Sequence, residues 1–200
     1  MNLPNKLTML RIILIPFMMF FYLASFIPFG IGKIVATVIF IVASLTDLLD
    51  GKIARKYNLV TDLGKFLDPI ADKLLTATAF LLIMVDGTLP APWGVIIVAI
   101  IIAREYTVSA LRQIAGTKGI VLAADMWGKI KTVVQMIALP TCFLVAYLNC
   151  AGFASTTAIL VVSIVSYVLV GLATVLTVMS GIHYLVKNRE CFKDDSKKQG

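Results

Sequence analysis

Residues 33–54 read KIVATVIFIVASLTDLLDGKIA. No charged residue lies between Lys33 and Asp47, and then Asp47, Asp50, Lys52 and Arg55 follow in close order. An apolar run of this length needs a hydrocarbon or protein interior on every side, because roughly 20 such residues cross about 30 Å of bilayer core. Its abrupt acidic end marks where the chain leaves that interior. This stretch therefore predicts a membrane helix whose end carries chemistry.

The pattern repeats outward in both directions. Six apolar stretches, at about 8–27, 33–54, 67–86, 92–114, 129–149 and 155–186, are long enough to span. The last exceeds what a bilayer requires, which implies tilt or an extension beyond it. Composition agrees: 60% of the 200 residues are hydrophobic, only 14% are charged, and mean hydropathy is +0.95. A soluble domain carries about 25% charged residues. The expected fold is an all-α integral membrane protein of six transmembrane helices, with 1–200 forming one membrane domain.

Local signals refine this. Leu3, Leu7 and Leu10 recur at helical spacing with Asn5, Lys6 and Thr8 between them, predicting a short interfacial helix before the first span. The first apolar stretch lacks a small-residue cleavage site and reads as a retained span. Pro16 is expected to bend that span, and Pro28, Gly30 and Gly32 mark the next turn. Cys142, Cys150 and Cys191 are odd in number and lack metal-ligand spacing, so they read as packing residues. The charged tail at about 188–200 reads as loose.

Orientation follows from the bases. Of 18 Lys and Arg, only Lys33 falls near the proposed outer ends. Both termini and the acidic loop are therefore expected on the cytoplasmic side. The net charge of +7 belongs to one face, suited to anionic lipid rather than nucleic acid.

Asp47, Asp50, Asp68 and Asp72 lie beside predicted spans, where unpaired carboxylates are costly. Spacings of three and four put each pair on one helical face. Two facing pairs of carboxylates suit hard divalent cations, which prefer oxygen ligands and often share them with phosphate. Two such ions can stabilise the attacking and leaving oxygens of an in-line displacement at phosphorus. No Walker loop is present, and His183, the only histidine, is remote in sequence from the aspartates. Gly51, Ala54 and Gly64 read equally as small-residue packing or as room for a nucleotide. Arg104, Arg112, Lys129 and Lys131 are candidates for an anion site, since arginine grips phosphate through paired donors and lysine supplies a point charge. Ordinary positive-inside charge accounts about as well for each lysine and less well for Arg104, which has Glu105 beside it in an apolar helix.

The run Asp47-x2-Asp50-Gly51-x2-Ala54-Arg55-x8-Gly64-x3-Asp68-x3-Asp72 resembles the signature of the CDP-alcohol phosphotransferase family at every fixed position. The six-span layout is similar too. Asn2-Leu3-Pro4-Asn5-x-Leu7-Thr8-x2-Arg11, Arg104-Glu105 and Gly128-Lys129-x-Lys131-Thr132 resemble its bacterial members that act on sn-glycerol 3-phosphate. The resemblance implies transfer of a phosphatidyl group from CDP-diacylglycerol to sn-glycerol 3-phosphate, with release of CMP. It assigns Asp47, Asp50, Asp68 and Asp72 to two divalent ions, Mg²⁺ or Mn²⁺, and makes Asp72 the general base. Gly51, Ala54, Arg55 and Gly64, with Asn5 and Thr8, are assigned to the CDP-lipid. A homodimer in the bacterial inner membrane, with a cytoplasmic active site, is also implied. Serine, inositol phosphate or phosphatidylglycerol stays open as the acceptor, and a divalent-cation transporter is the reading from a different class.

Overall fold

The computed structural model describes residues 3–56, 62–117, 126–152 and 154–188. Among them the chain forms six α-helices and one 3-10 turn: α1 (Leu3–Leu23), the turn Pro28–Gly30, α2 (Ile31–Lys56), α3 (Asp62–Val85), α4 (Trp93–Thr117), α5 (Met126–Ala151) and α6 (Thr156–Lys187). No strand occurs among the described residues.

Among the described residues four helices are long and apolar enough to cross a membrane: α1 over Asn5–Leu23, α4 over Trp93–Gly116, α5 and α6. The chain is thus a multi-pass membrane protein. At 32 residues α6 measures about 48 Å, longer than the hydrocarbon core, in line with its long apolar stretch. α3 carries Asp68, Asp72 and Lys73 early in its length, and the side chains of α2 are described only as far as Asp47.

α1 corrects one expectation. The helix runs unbroken from Leu3 to Leu23, with no separate interfacial helix ahead of it. Pro4 falls in the first turn, where its missing donor costs nothing. Of the polar residues expected to lie on a membrane surface, Lys6 is exposed but Asn5 and Thr8 turn inward, as does Arg11.

The helices close into a circuit. α2 packs on α5, α5 along α6, α6 on α4, α4 on α3, and α3 on α2, while α1 lies along α2 and α3. Apolar side chains gain little by leaving lipid for protein, so close packing has to hold such helices together. Ala36, Ala43, Ala79, Ala138, Ala146 and Ala173 accordingly sit buried at the interfaces, around Phe40, Phe80 and Phe143. Large apolar groups such as Phe20, Val38, Leu160, Val168 and Ile182 face outward. The α1–α2 hairpin is tightest at Gly32, where an added Cβ would sit 2.3 Å from the carbonyl oxygen of Phe21. Gly30 just before it takes a positive φ of 69°, a conformation glycine adopts without strain.

Candidate active site

One end of the circuit is polar. α4 changes character halfway: after the apolar run from Gly94 to Ala103 come Arg104, Glu105, Tyr106, Thr107, Ser109 and Arg112. A cavity of about 360 Å³ opens there between α3, α4, α5 and α6. Asp72 and Lys73 line it from α3, Arg104, Glu105 and Arg112 from α4, Lys129 and Lys131 from α5, and Tyr184 from α6. Five cationic side chains thus face two carboxylates, and the volume suits a small ligand.

The cations are held in different ways. Lys131 is buried and forms an ion pair with Glu105. A buried ammonium without such a partner would be strongly destabilising, so part of the charge of Lys131 is answered within the protein. Arg104 lies 4.0 Å from the same carboxylate and donates through Nη2 to Ser180 Oγ at 2.8 Å. The guanidinium of Arg112 stands 5.4 Å from the centroid of the Tyr184 ring. Gly128 lies beside Arg104, where an added Cβ would stand 3.8 Å from Nη2, an ordinary contact. Lys129 is exposed at the start of α5.

The acidic residues of α2 and α3 are braced from α1. Arg11, fully buried, pairs with Asp47 at 2.6 Å between Nη1 and Oδ1. Thr8 donates its hydroxyl to Asp68 Oδ1. The family resemblance assigns Thr8 to the CDP-lipid, and in the structure its hydroxyl meets a carboxylate. Burial explains this: a carboxylate beside an apolar wall is stabilised by every donor it accepts. Asp68 and Asp72 lie on one unbroken helix, with Pro69 inside it rather than at a turn. Gly64 is buried near the start of the same helix. The side chains of Asp50, Gly51, Ala54 and Arg55 lie outside the described residues. Among the described residues no three His, Cys, Asp or Glu side chains come together closely enough to hold a metal ion. The donors present, carboxylate oxygens, are nonetheless of the type that hard divalent cations take.

The family model for CDP-alcohol phosphatidyltransferases matches residues 1–183. The chain belongs to this family. A CDP-diacylglycerol–glycerol-3-phosphate 3-phosphatidyltransferase of Bacillus subtilis is 42% identical over 207 residues, covering 96% of this chain and 97% of the relative. Proteins of the same name from Rickettsia felis and Haemophilus influenzae are 35% and 38% identical, covering 96% and 92% of this chain and 97% and 91% of the relatives. This CDP-alcohol phosphatidyltransferase is therefore an enzyme similar throughout its length to proteins bearing that name.

Within it, the four cations picked from sequence, Arg104, Arg112, Lys129 and Lys131, come together in one cavity with Asp72. Asp47 and Asp68 meet α1 instead. Sequence reading passed over Lys73, Ser180 and Tyr184. Lys73 had a signal in its position next to Asp72. Ser180 and Tyr184 had none, because a serine and a tyrosine in an apolar helix read as packing until a partner helix is placed beside them.

Proposed function

We propose that this enzyme transfers the phosphatidyl group of CDP-diacylglycerol to sn-glycerol 3-phosphate, releasing CMP. The observation that carries the reading is the cavity in which Asp72 sits among five cationic side chains. Such a surplus suits an acceptor that brings its own phosphate dianion and disfavours serine, which carries none. Curated relatives over nearly the whole chain carry the matching name.

In this reading Arg104 and Arg112 hold the acceptor phosphate, with Lys129 and Lys131 adding positive potential. Asp72 accepts the proton of the acceptor hydroxyl. The freed oxygen attacks the phosphorus bearing diacylglycerol, a new P–O bond forms, and the bond from that phosphorus to the CMP oxygen breaks. CMP leaves with the electron pair. Asp47, Asp50, Asp68 and Asp72 would hold two divalent ions, Mg²⁺ or Mn²⁺, which supply neutralising charge to the diphosphate. Gly51, Ala54, Arg55, Gly64, Asn5 and Thr8 bound the CDP-lipid, and Thr8 and Arg11 also steady the carboxylates.

The same reading makes α2 and α3 membrane spans, six in all. Exposed Val38, Ile41, Val42 and Leu45 support this for α2. It sets both termini and the site at the cytoplasmic face of a bacterial inner membrane, from the distribution of Lys and Arg. A homodimer rests on the family resemblance alone.

The test is CMP release by purified protein given CDP-diacylglycerol, Mg²⁺ or Mn²⁺, and one acceptor at a time. Release that requires glycerol 3-phosphate and stops with chelator is expected. Release with inositol phosphate, serine or phosphatidylglycerol would move the enzyme to a sister activity. No release from folded protein with any acceptor would sink the reading.

A further inference from the structure

Tyr184 lies one turn from the end of α6, is 2% exposed and lines the cavity. Its hydroxyl is buried and has no hydrogen-bond partner among the described residues. Buried hydroxyls are nearly always satisfied, so one without a partner on a residue that lines a cationic cavity calls for a partner that arrives from outside. The ring has a second task. The Arg112 guanidinium stands over it at 5.4 Å, within cation–π range, which fixes where that charge can sit.

The same face of α6 also seats the other arginine. Ser180, one turn before Tyr184, accepts from Arg104 at 2.8 Å. Gly181 lets the Arg104 stem lie against the α6 backbone, since a Cβ there would come within 3.0 Å of its Cγ. Ser180, Gly181 and Tyr184 thus touch both arginines and add one open donor between them.

We infer that Tyr184 is an acceptor-binding residue of this enzyme, donating its hydroxyl to the phosphate of the alcohol acceptor while its ring orients Arg112 on that same phosphate. Ser180 and Gly181 are positioning residues for Arg104. The inference rests on the proposed use of a phosphate-bearing acceptor and names the residues that select for it. A neutral alcohol would leave the phenol without an acceptor and the cavity's surplus of cations over carboxylates unmet, so this face of α6 discriminates by the phosphate rather than by the hydroxyl that reacts.

The experiment is steady-state CMP release by the purified full chain with CDP-diacylglycerol and divalent ion, comparing wild type with Tyr184→Phe and Tyr184→Leu. Tyr184→Phe should raise KM for glycerol 3-phosphate about tenfold, the loss of one hydrogen bond to a charged group. KM for CDP-diacylglycerol should not move. Tyr184→Leu should raise the acceptor KM further, because Arg112 loses its support. Thermal unfolding without substrate adds a readout that separates binding from packing. A hydroxyl with no protein partner contributes nothing to the free protein, so Tyr184→Phe should melt at the wild-type temperature or above, and glycerol 3-phosphate should raise its melting point less.

Unchanged acceptor KM in Tyr184→Phe would overturn the inference, as would a lowered melting point with both KM values raised alike. Wild-type enzyme that releases CMP only with a neutral alcohol would overturn the acceptor reading first, and this inference with it.

Discussion

The two ends of the helix circuit each hold a cavity with charged walls, and they use charge in opposite ways. The larger, about 500 Å³, lies where α1 ends and α2 begins, beside Asp86 after α3 and Cys150 of α5. There a single carboxylate, Asp86, accepts from Lys33 Nζ at 2.9 Å, from the Tyr22 hydroxyl and from the Thr88 backbone N–H at 2.9 Å. The Lys33 ammonium also stands 4.4 Å over the Tyr22 ring. Each charge is answered by a neighbour, and the cluster ties α1, α2 and α3 together. At the smaller cavity five cations face Asp72 and Glu105, and a buried phenol has no partner among the described residues. Size therefore misleads. A surplus of cations over carboxylates and an open phenol mark the end we propose for a ligand, whereas closed charge marks the end that ties helices together.

That contrast breaks most sharply at Asp72. Asp72→Asn should lower turnover by at least about a hundredfold, the usual scale for loss of a general base, while CDP-lipid binding survives. Normal turnover by an inserted Asp72→Asn protein would remove Asp72 from the proton transfer. Arg104→Ala comes next, with an expected rise in acceptor KM of about ten- to a hundredfold from one lost charge-assisted contact. KM for CDP-diacylglycerol measured alongside should stay level, and a parallel rise would point to general damage around Ser180.

At the opposite end the effect should be on stability alone. Asp86→Asn leaves Lys33 without its counter-charge and should cost about 1–3 kcal/mol, read as a lower melting temperature in detergent. Turnover per folded molecule should stay within about twofold on the same geometry. A large fall in turnover would mean that the two ends are not independent. Lys129→Ala should matter least, raising acceptor KM about two- to fivefold, because an exposed ammonium is well screened.

Much of the fold could be read in one dimension. The apolar runs place α1 and α4 to α6 within a few residues, because hydrocarbon demands an unbroken apolar helix whatever its neighbours are. The aspartates at positions 47, 50, 68 and 72 declare themselves as well, since carboxylates beside such runs are too costly to be incidental. Asn5 and Thr8 read in sequence as lying on a membrane surface and are buried instead, in line with Arg11. Their spacing of three residues fits either a surface stripe or a buried one, and only the placement of α1 against α2 and α3 decides between them.

Pairing is likewise a tertiary property. Lys131 looks like a free phosphate ligand in sequence and proves to be half-spent on Glu105, which lies 26 residues away on another helix. Ser180 and Tyr184 look like packing and prove to hold Arg104 and Arg112. Hydropathy and charge are properties of single residues, so a multi-pass membrane protein with a group of aspartates beside its spans is legible in one dimension. Only the packed helices decide which cation meets which partner, because an electrostatic partner is chosen by distance, and distance is set only when helices far apart in the chain pack side by side.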